Sequence, residues 1–327
     1  MTTWHLSRIG AVAIMCAVIM LLTNCGRLMF ATLNAPSYVG TYRLHADFPY
    51  GKGPRHSLDV YVPSGAERRP VVVFWYGGMW TRGSKEWYRF VGASLADAGY
   101  VAVLPDYTLF PQARFPDFIR DGARAVKWAH DHATDLGGDP NAIFLMGHSA
   151  GGHIAATLAL DERYLRAVGG DPRWIRGWIG LSAPYALETR IGGYLFLRRI
   201  FQEPYVASDW HLIDRVRARS PPALLIHGTQ DIYPLDVVEM DFKLRSAGSY
   251  VECYIYDNAT HMDTVAAFSL PLRWETPALA DVRRFIDRTL DDPRIADGTA
   301  AGTPCPNVKN RFLPSPAPGH GANEAAP

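Results

Sequence analysis

The stretch Gly147-His148-Ser149-Ala150-Gly151-Gly152 constrains the fold of this chain more than any other, because of what flanks it. Ala142-Ile143-Phe144-Leu145-Met146 before it is an apolar run of strand length, and His153 to Leu160 after it carries Ala, Leu and Ile at helical spacing. A serine is thereby set on a strand-to-helix turn. Such a turn is sharp and strained and lifts the hydroxyl off the sheet edge. It needs small neighbours because turn and helix pack closely, and Gly147, Gly151 and Gly152 meet that need. The helix also aims its unpaired N–H groups and positive dipole end at the serine, which favours negative charge developing there. In a chain with 29 glycines the five-residue pattern alone is only moderately specific, so its meaning depends on partners elsewhere.

Two partners follow in the chain. Ala223-Leu224-Leu225-Ile226-His227-Gly228-Thr229-Gln230-Asp231 reads as a strand ending in a turn that presents an acid, and Tyr254-Ile255-Tyr256 leads through Asp257-Asn258-Ala259-Thr260 to His261. A neutral serine is a weak nucleophile at pH 7; in this pattern His261 takes its proton while Asp231 fixes the imidazole tautomer and stabilises the imidazolium. Other acids fit less well. Asp236 reads as the cap of the helix that begins there, and Asp263 follows His261 too closely to reach its far ring nitrogen. His148 and His153 sit on the turn and its helix, and His227 reads as a packed strand neighbour. After Val71-Val72-Val73-Phe74-Trp75 comes Tyr76-Gly77-Gly78-Met79-Trp80, a glycine pair at a strand end that lets backbone N–H groups approach a carbonyl oxygen. The amide of Ala150, next after the nucleophile, is a further donor.

The order Ser, Asp, His along the chain belongs to the α/β-hydrolase arrangement. On these motifs the sequence resembles that superfamily, in the carboxylesterase branch related to hormone-sensitive lipases and isoprenylcysteine methylesterase-like enzymes. The likeness runs from about Arg55 to Leu290. It includes Leu58-Asp59-Val60-Tyr61, Pro105-Asp106-Tyr107, Phe115-Pro116, Asp121-Gly122-Ala123 and Gly138-Asp139-Pro140. The resemblance implies that the oxyanion donors are the amides of Gly78 and Met79. Tyr76 stands where the family usually has His, and Thr108 where relatives often have Arg.

Alternating apolar strands and helical stretches in 327 residues, 48% of them hydrophobic, predict one α/β catalytic domain. Its expected centre is a mostly parallel eight-stranded sheet with helices on both faces. Strands are expected at Tyr42–Leu44, Leu58–Tyr61, Val71–Trp75, Val101–Leu104, Ile143–Met146, Trp178–Leu181, Ala223–Ile226 and Val251–Tyr256. Helices are expected at Glu86–Ala98, Pro116–His132, Ala150–Leu160, Asp236–Ala247 and Thr276–Leu290. The expected division is 1–25 as signal peptide or anchor, 26–54 as linker and first strand, 55–290 as the catalytic domain and 291–327 as a disordered tail. Residues 182–222 hold Tyr185, Tyr194, Phe196, Phe201, Tyr205 and Trp210, and read equally as a lid lining an acyl pocket or as a packed connection.

Arg8 precedes a hydrophobic run from Ile9 to Leu22, of signal-peptide length and shorter than the ~20 residues that span a bilayer. Export to the periplasm or attachment to a membrane is expected. Leu22-Thr23-Asn24-Cys25 resembles a lipoprotein processing site with Cys25 as the lipidated residue, although Asn24 occupies a position usually held by Gly, Ala or Ser; an uncleaved anchor reaching Phe30 is the alternative. Of four cysteines, Cys253 reads as a small buried hydrophobe and Cys305 lies in the tail; export would permit a bond between them, and the spacing has no metal pattern. A formal charge of +1 offers no basis for binding nucleic acid. The sequence thus predicts a serine hydrolase acting on small-molecule carboxylic esters without metal or cofactor. An amidase on the same scaffold, or a binding module with a vestigial site, are the other readings.

Overall fold

The computed structural model describes residues 26–65, 67–187, 192–232, 234–296 and 299–306. One sheet contains β1 (Arg43–Pro49), β2 (Ser57–Val62), β3 (Arg69–Trp75), β4 (Val101–Pro105), β5 (Gly138–His148), β6 (Ile175–Leu181), β7 (Ala223–Gln230) and β8 (Val251–Thr260). Their spatial order is β1-β2-β4-β3-β5-β6-β7-β8. β2 runs antiparallel to β1 and β4; every pairing from β4 to β8 is parallel. A strand covered on both faces needs an unbroken apolar run, and Val71–Trp75 and Ile143–Met146 at the centre are such runs, all essentially buried. Edge strand β1 is largely exposed instead.

The helices are α1 (26–34), α2 (Arg89–Asp97), α3 (Asp117–His132), α4 (Ala150–Leu160), α5 (Glu162–Ala167), α6 (Ala207–Trp210), α7 (Pro234–Ser246), α8 (Asp263–Ala266), α9 (Ala278–Asp291) and α10 (Pro293–Ala296). α4 is mostly apolar and buried at every residue, as a helix must be when it lies against the sheet beneath other elements. It packs on β3, β5 and β6. α3 and α9 are amphipathic and keep a polar face outward.

Three expectations need correction. Residues 26–42 are not a linker: α1 and a 3₁₀ turn (Ala35–Val39) dock onto the body. Phe30 packs its ring 5.2 Å from Trp87 and 5.1 Å from Tyr88, Leu33 is buried, and the Asn34 side chain accepts from the Phe90 N–H and donates to the Glu86 carbonyl. The chain beyond 290 is ordered as far as the structure describes it. After α10, residues 299–306 lie along edge strand β8, where the Cys253 N–H donates to the Thr303 carbonyl at 2.8 Å. Cys253 is not a lone buried thiol: it forms a disulfide with Cys305. Arg245 donates to the carbonyls of Gly302 and Thr303, and Asp241 accepts from the Cys305 N–H, so the segment covers backbone groups that an edge strand would otherwise leave open. Residues 1–25, with Cys25, and 307–327 lie outside the described residues; among those described, no helix is long and apolar enough to cross a membrane.

Candidate active site

Ser149 connects β5 to α4 with φ 54° and ψ −122°, the strained elbow that the sequence predicts. Its N–H donates to the Leu181 carbonyl at the end of β6, which fixes the elbow against the neighbouring strand. The space beside it is closed to side chains: a Cβ on Gly151 would sit 2.0 Å from the Trp75 carbonyl oxygen. Ser149 itself is 8% exposed.

Parallel β7 and β8 carry Asp231 and His261 to the same carboxyl-terminal edge of the sheet. His261 Nδ1 donates to Asp231 Oδ1 at 2.7 Å. The Asp231 side chain is fully buried, and burial alone would raise its pKa. The hydrogen bond from His261 and the charges of His227 and His261 outweigh burial and hold the carboxylate well below its ordinary value. The Ile232 N–H also donates to Oδ1, at 2.6 Å, and His227 Nε2 lies 3.4 Å from Oδ2. His227 is therefore a direct neighbour of the acid rather than simple strand packing.

The competing residues have other work. Asp236 stands in the first turn of α7, and its carboxylate accepts from the Tyr185 and Ala186 N–H groups and secures the chain after β6. Asp263 accepts from the N–H and hydroxyl of Thr260. His148 Nε2 donates to the His261 carbonyl at 2.9 Å, with the two rings 4.9 Å apart. Burial, reinforced by the charge of His261, pushes the His148 pKa down to about 3, so it clamps the histidine loop as a neutral ring. His153 points to the Trp210 carbonyl, and burial pushes its pKa down to about 4.

Ser149 and His261 line a cavity of about 690 Å³, which Gly78, Met79 and Ala150 line too. Gly78 and Met79 have φ 122° and 54°; the left-handed backbone turns this loop sharply, and a Cβ at Gly78 would lie 2.0 Å from the Arg82 carbonyl oxygen. The apolar wall differs from the expected one. From residues 182–222 only Pro184 reaches it among the described residues, whereas Phe201, Tyr185 and Trp210 are buried in packing and Phe201 sits 4.9 Å from Trp80. Phe196 is partly exposed, Tyr205 packs edge-on to Phe115, and the Tyr194 side chain lies outside the described residues. α1 supplies the wall instead, through Met29 and Phe30 beside Trp87 and Tyr88.

Residues 58–167 match the family described as BD-FAE. The isoprenylcysteine alpha-carbonyl methylesterase ICME of Arabidopsis thaliana is 31% identical over 251 residues, 70% of this chain and 59% of its own length. Esterase LipC of Mycobacterium tuberculosis is 32% identical over 56% of this chain and 50% of its own. Among solved structures, the Pyrobaculum calidifontis esterase superposes with a TM-score of 0.70 at 24% identity, covering 83% of this chain and 93% of that one. The chain belongs to the α/β-hydrolases, in the carboxylesterase branch. It spans between half and three fifths of the length of these two sequence relatives.

As an α/β-hydrolase it departs from its relatives in ways the structure explains. Tyr76, in the position usually held by His, is buried with its hydroxyl donating to Asp106 Oδ1 at 2.7 Å and accepting from Arg55 at 2.6 Å. Asp106 also accepts from the Lys85 N–H, and Arg55 reaches the Gly83 carbonyl, so both ends of the 77–84 loop are tied to one buried network. Burial raises the Asp106 pKa despite the bond from Tyr76 and the charge of Arg55. Thr108, in the position often held by Arg, lies 3.3 Å from His56 Nε2, and its N–H donates to Asp121. Pro105-Asp106-Tyr107 was the visible sign of this network; its convergence on Tyr76 depends on the fold.

Proposed function

We propose that the protein hydrolyses carboxylic esters through an acyl-enzyme formed on Ser149. The reading rests chiefly on one observation: the Asp231–His261 pair and the Ser149 elbow meet at one end of the sheet, with Ser149 and His261 facing a common apolar cavity. Ser149 Oγ bonds to the ester carbon while His261 takes its proton through Nε2, the nitrogen left open by the bond to Asp231. The amides of Gly78, Met79 and Ala150 receive the oxyanion, each donor contributing about 3 kcal/mol to the transition state. His261 then protonates the departing alcohol and activates water, which releases the acid. Names of relatives support this reading: methylesterase, esterase, and a Thermogutta terrifontis esterase with propionate bound, 25% identical with a TM-score of 0.62. Propionate is the acid that cleavage of a propionyl ester leaves.

Replacing Ser149 with Ala in folded protein is expected to abolish turnover of p-nitrophenyl butyrate and labelling by a fluorophosphonate. Undiminished turnover would refute the assignment. For location we propose export: the run Ile9–Leu22 is of signal length, and a Cys253–Cys305 bond suits an oxidising compartment. Membrane attachment through a lipidated Cys25 predicts incorporation of labelled palmitate that Cys25→Ala removes; wild-type protein without label would dismiss it.

A further inference from the structure

The cavity beside Ser149 is apolar over most of its wall, with Met29, Phe30, Trp87, Ile232 and Met262 facing it. Among the described residues that line it, the permanently charged ones are Arg27 on α1 and Arg82 after the oxyanion loop, and none is a carboxylate. Both are exposed, so they stand where the cavity opens to water. They come from separate parts of the chain, and the Arg82 backbone is held in place by its N–H bond to the Gly78 carbonyl at 3.2 Å. Neither guanidinium forms an ion pair with a described residue, whereas Arg163, Arg173, Arg245 and Arg284 elsewhere each do. The carboxylate nearest the reaction centre, Asp231, is buried and already paired with His261.

We propose that this site selects esters whose apolar part ends in a negative charge, the chain lying against the α1 wall and the anion held at the mouth by Arg27 and Arg82. The proposal rests on the ester-hydrolase reading and adds the substrate's charge to it. An apolar wall desolvates a hydrocarbon chain but gives no preference among chains of equal length. Two cations with no carboxylate among the described lining residues supply that preference, attracting an anionic ester and repelling a cationic one. The guanidinium fork suits carboxylate and phosphate alike, so the recognised group is an anion of either kind.

The test compares p-nitrophenyl hydrogen adipate with p-nitrophenyl hexanoate, which match in chain length and leaving group and differ in the terminal carboxylate. The readout is the ratio of their kcat/KM values within one preparation, from which any loss of folded protein cancels. Wild type is expected to favour the adipate by about fivefold or more, from KM, with the preference shrinking as salt is added. Arg27→Gln and Arg82→Gln should each lower the ratio by roughly threefold, and Arg82→Glu should bring it below one. A wild-type ratio at or below one, or a ratio unmoved in all three variants, overturns the proposal. Hydrolysis of neither ester by wild type is instead the failure of the ester reading itself, which the fluorophosphonate result reports separately.

Discussion

His148 carries a neutral ring where a charge would be costly. It is buried, its Nε2–H is committed to the His261 carbonyl, and its pKa falls from 6.5 to about 3. Between these values the unfolded chain takes up a proton that the folded protein refuses. This contribution to stability is therefore complete above about pH 6.5 and drains away as the pH falls toward 3. His153, lowered to about 4, acts in the same direction. Each histidine should remove about 2 kcal/mol between about pH 7 and pH 5, read as a falling urea midpoint. His148→Asn should make that fall shallower; an unchanged slope would remove His148 from the account. Tyr76→Phe takes one donor from the buried Asp106 carboxylate. It should cost about 1–2 kcal/mol and lower kcat roughly tenfold with KM little changed, because the loop that carries Gly78 and Met79 loses its anchor. Ser149, Asp231 and His261 could be read from the sequence because each ends or follows an apolar strand run. The clamp by His148, the Tyr76 network and the Arg27–Arg82 mouth could not, because each depends on chain segments that meet only after folding.

The inner strands were legible as elements because burial on both faces demands continuous apolar runs; β2 through β8 extend the expected runs at one or both ends, while exposed β1 is displaced, running Arg43–Pro49 where Tyr42–Leu44 was expected. α1 was not legible. Its few apolar residues follow the polar stretch Thr23-Asn24-Cys25-Gly26-Arg27 and are too short a segment to show a period, and the partners that make it a docked helix, Trp87 and Tyr88, lie nearly sixty residues from Phe30 in a 3₁₀ turn. The aromatic content of 182–222 misled in the opposite direction. Phe201 and Trp210 fill space against Trp80 and Phe115, while the apolar wall of the cavity comes from the N-terminal side. If α1 is that wall, Phe30→Ala should raise KM for p-nitrophenyl hexanoate by about fivefold and leave the acetate nearly unaffected, since only the longer chain reaches the lost surface. Equal effects on both esters would place the acyl chain elsewhere.

On the scale of the molecule, the two ends of the described chain brace opposite margins of one body: α1 walls the cavity, and residues 299–306 close the β8 edge. Composition misread the second because a stretch rich in Pro, Gly and Ala has no apolar period, yet it needs none when a covalent bond and the Arg245 side chain hold it. The Cys253–Cys305 bond closes a loop across 52 residues, which corresponds to as much as ~4 kcal/mol of lost unfolded-state entropy. Cys253 lies near the start of β8 and His261 just beyond its end, so at about 3.4 Å per residue the bond is roughly 25 Å from the reaction centre. Cys305→Ala should therefore lower the melting temperature by about 5–10 °C while leaving kcat at 25 °C close to wild type. A reductant should lower the wild-type melting temperature by a similar amount and leave the variant where it is. If reductant destabilises both alike, the bond does not brace the edge, and the hydrogen bonds of Arg245 and Asp241 hold the segment alone.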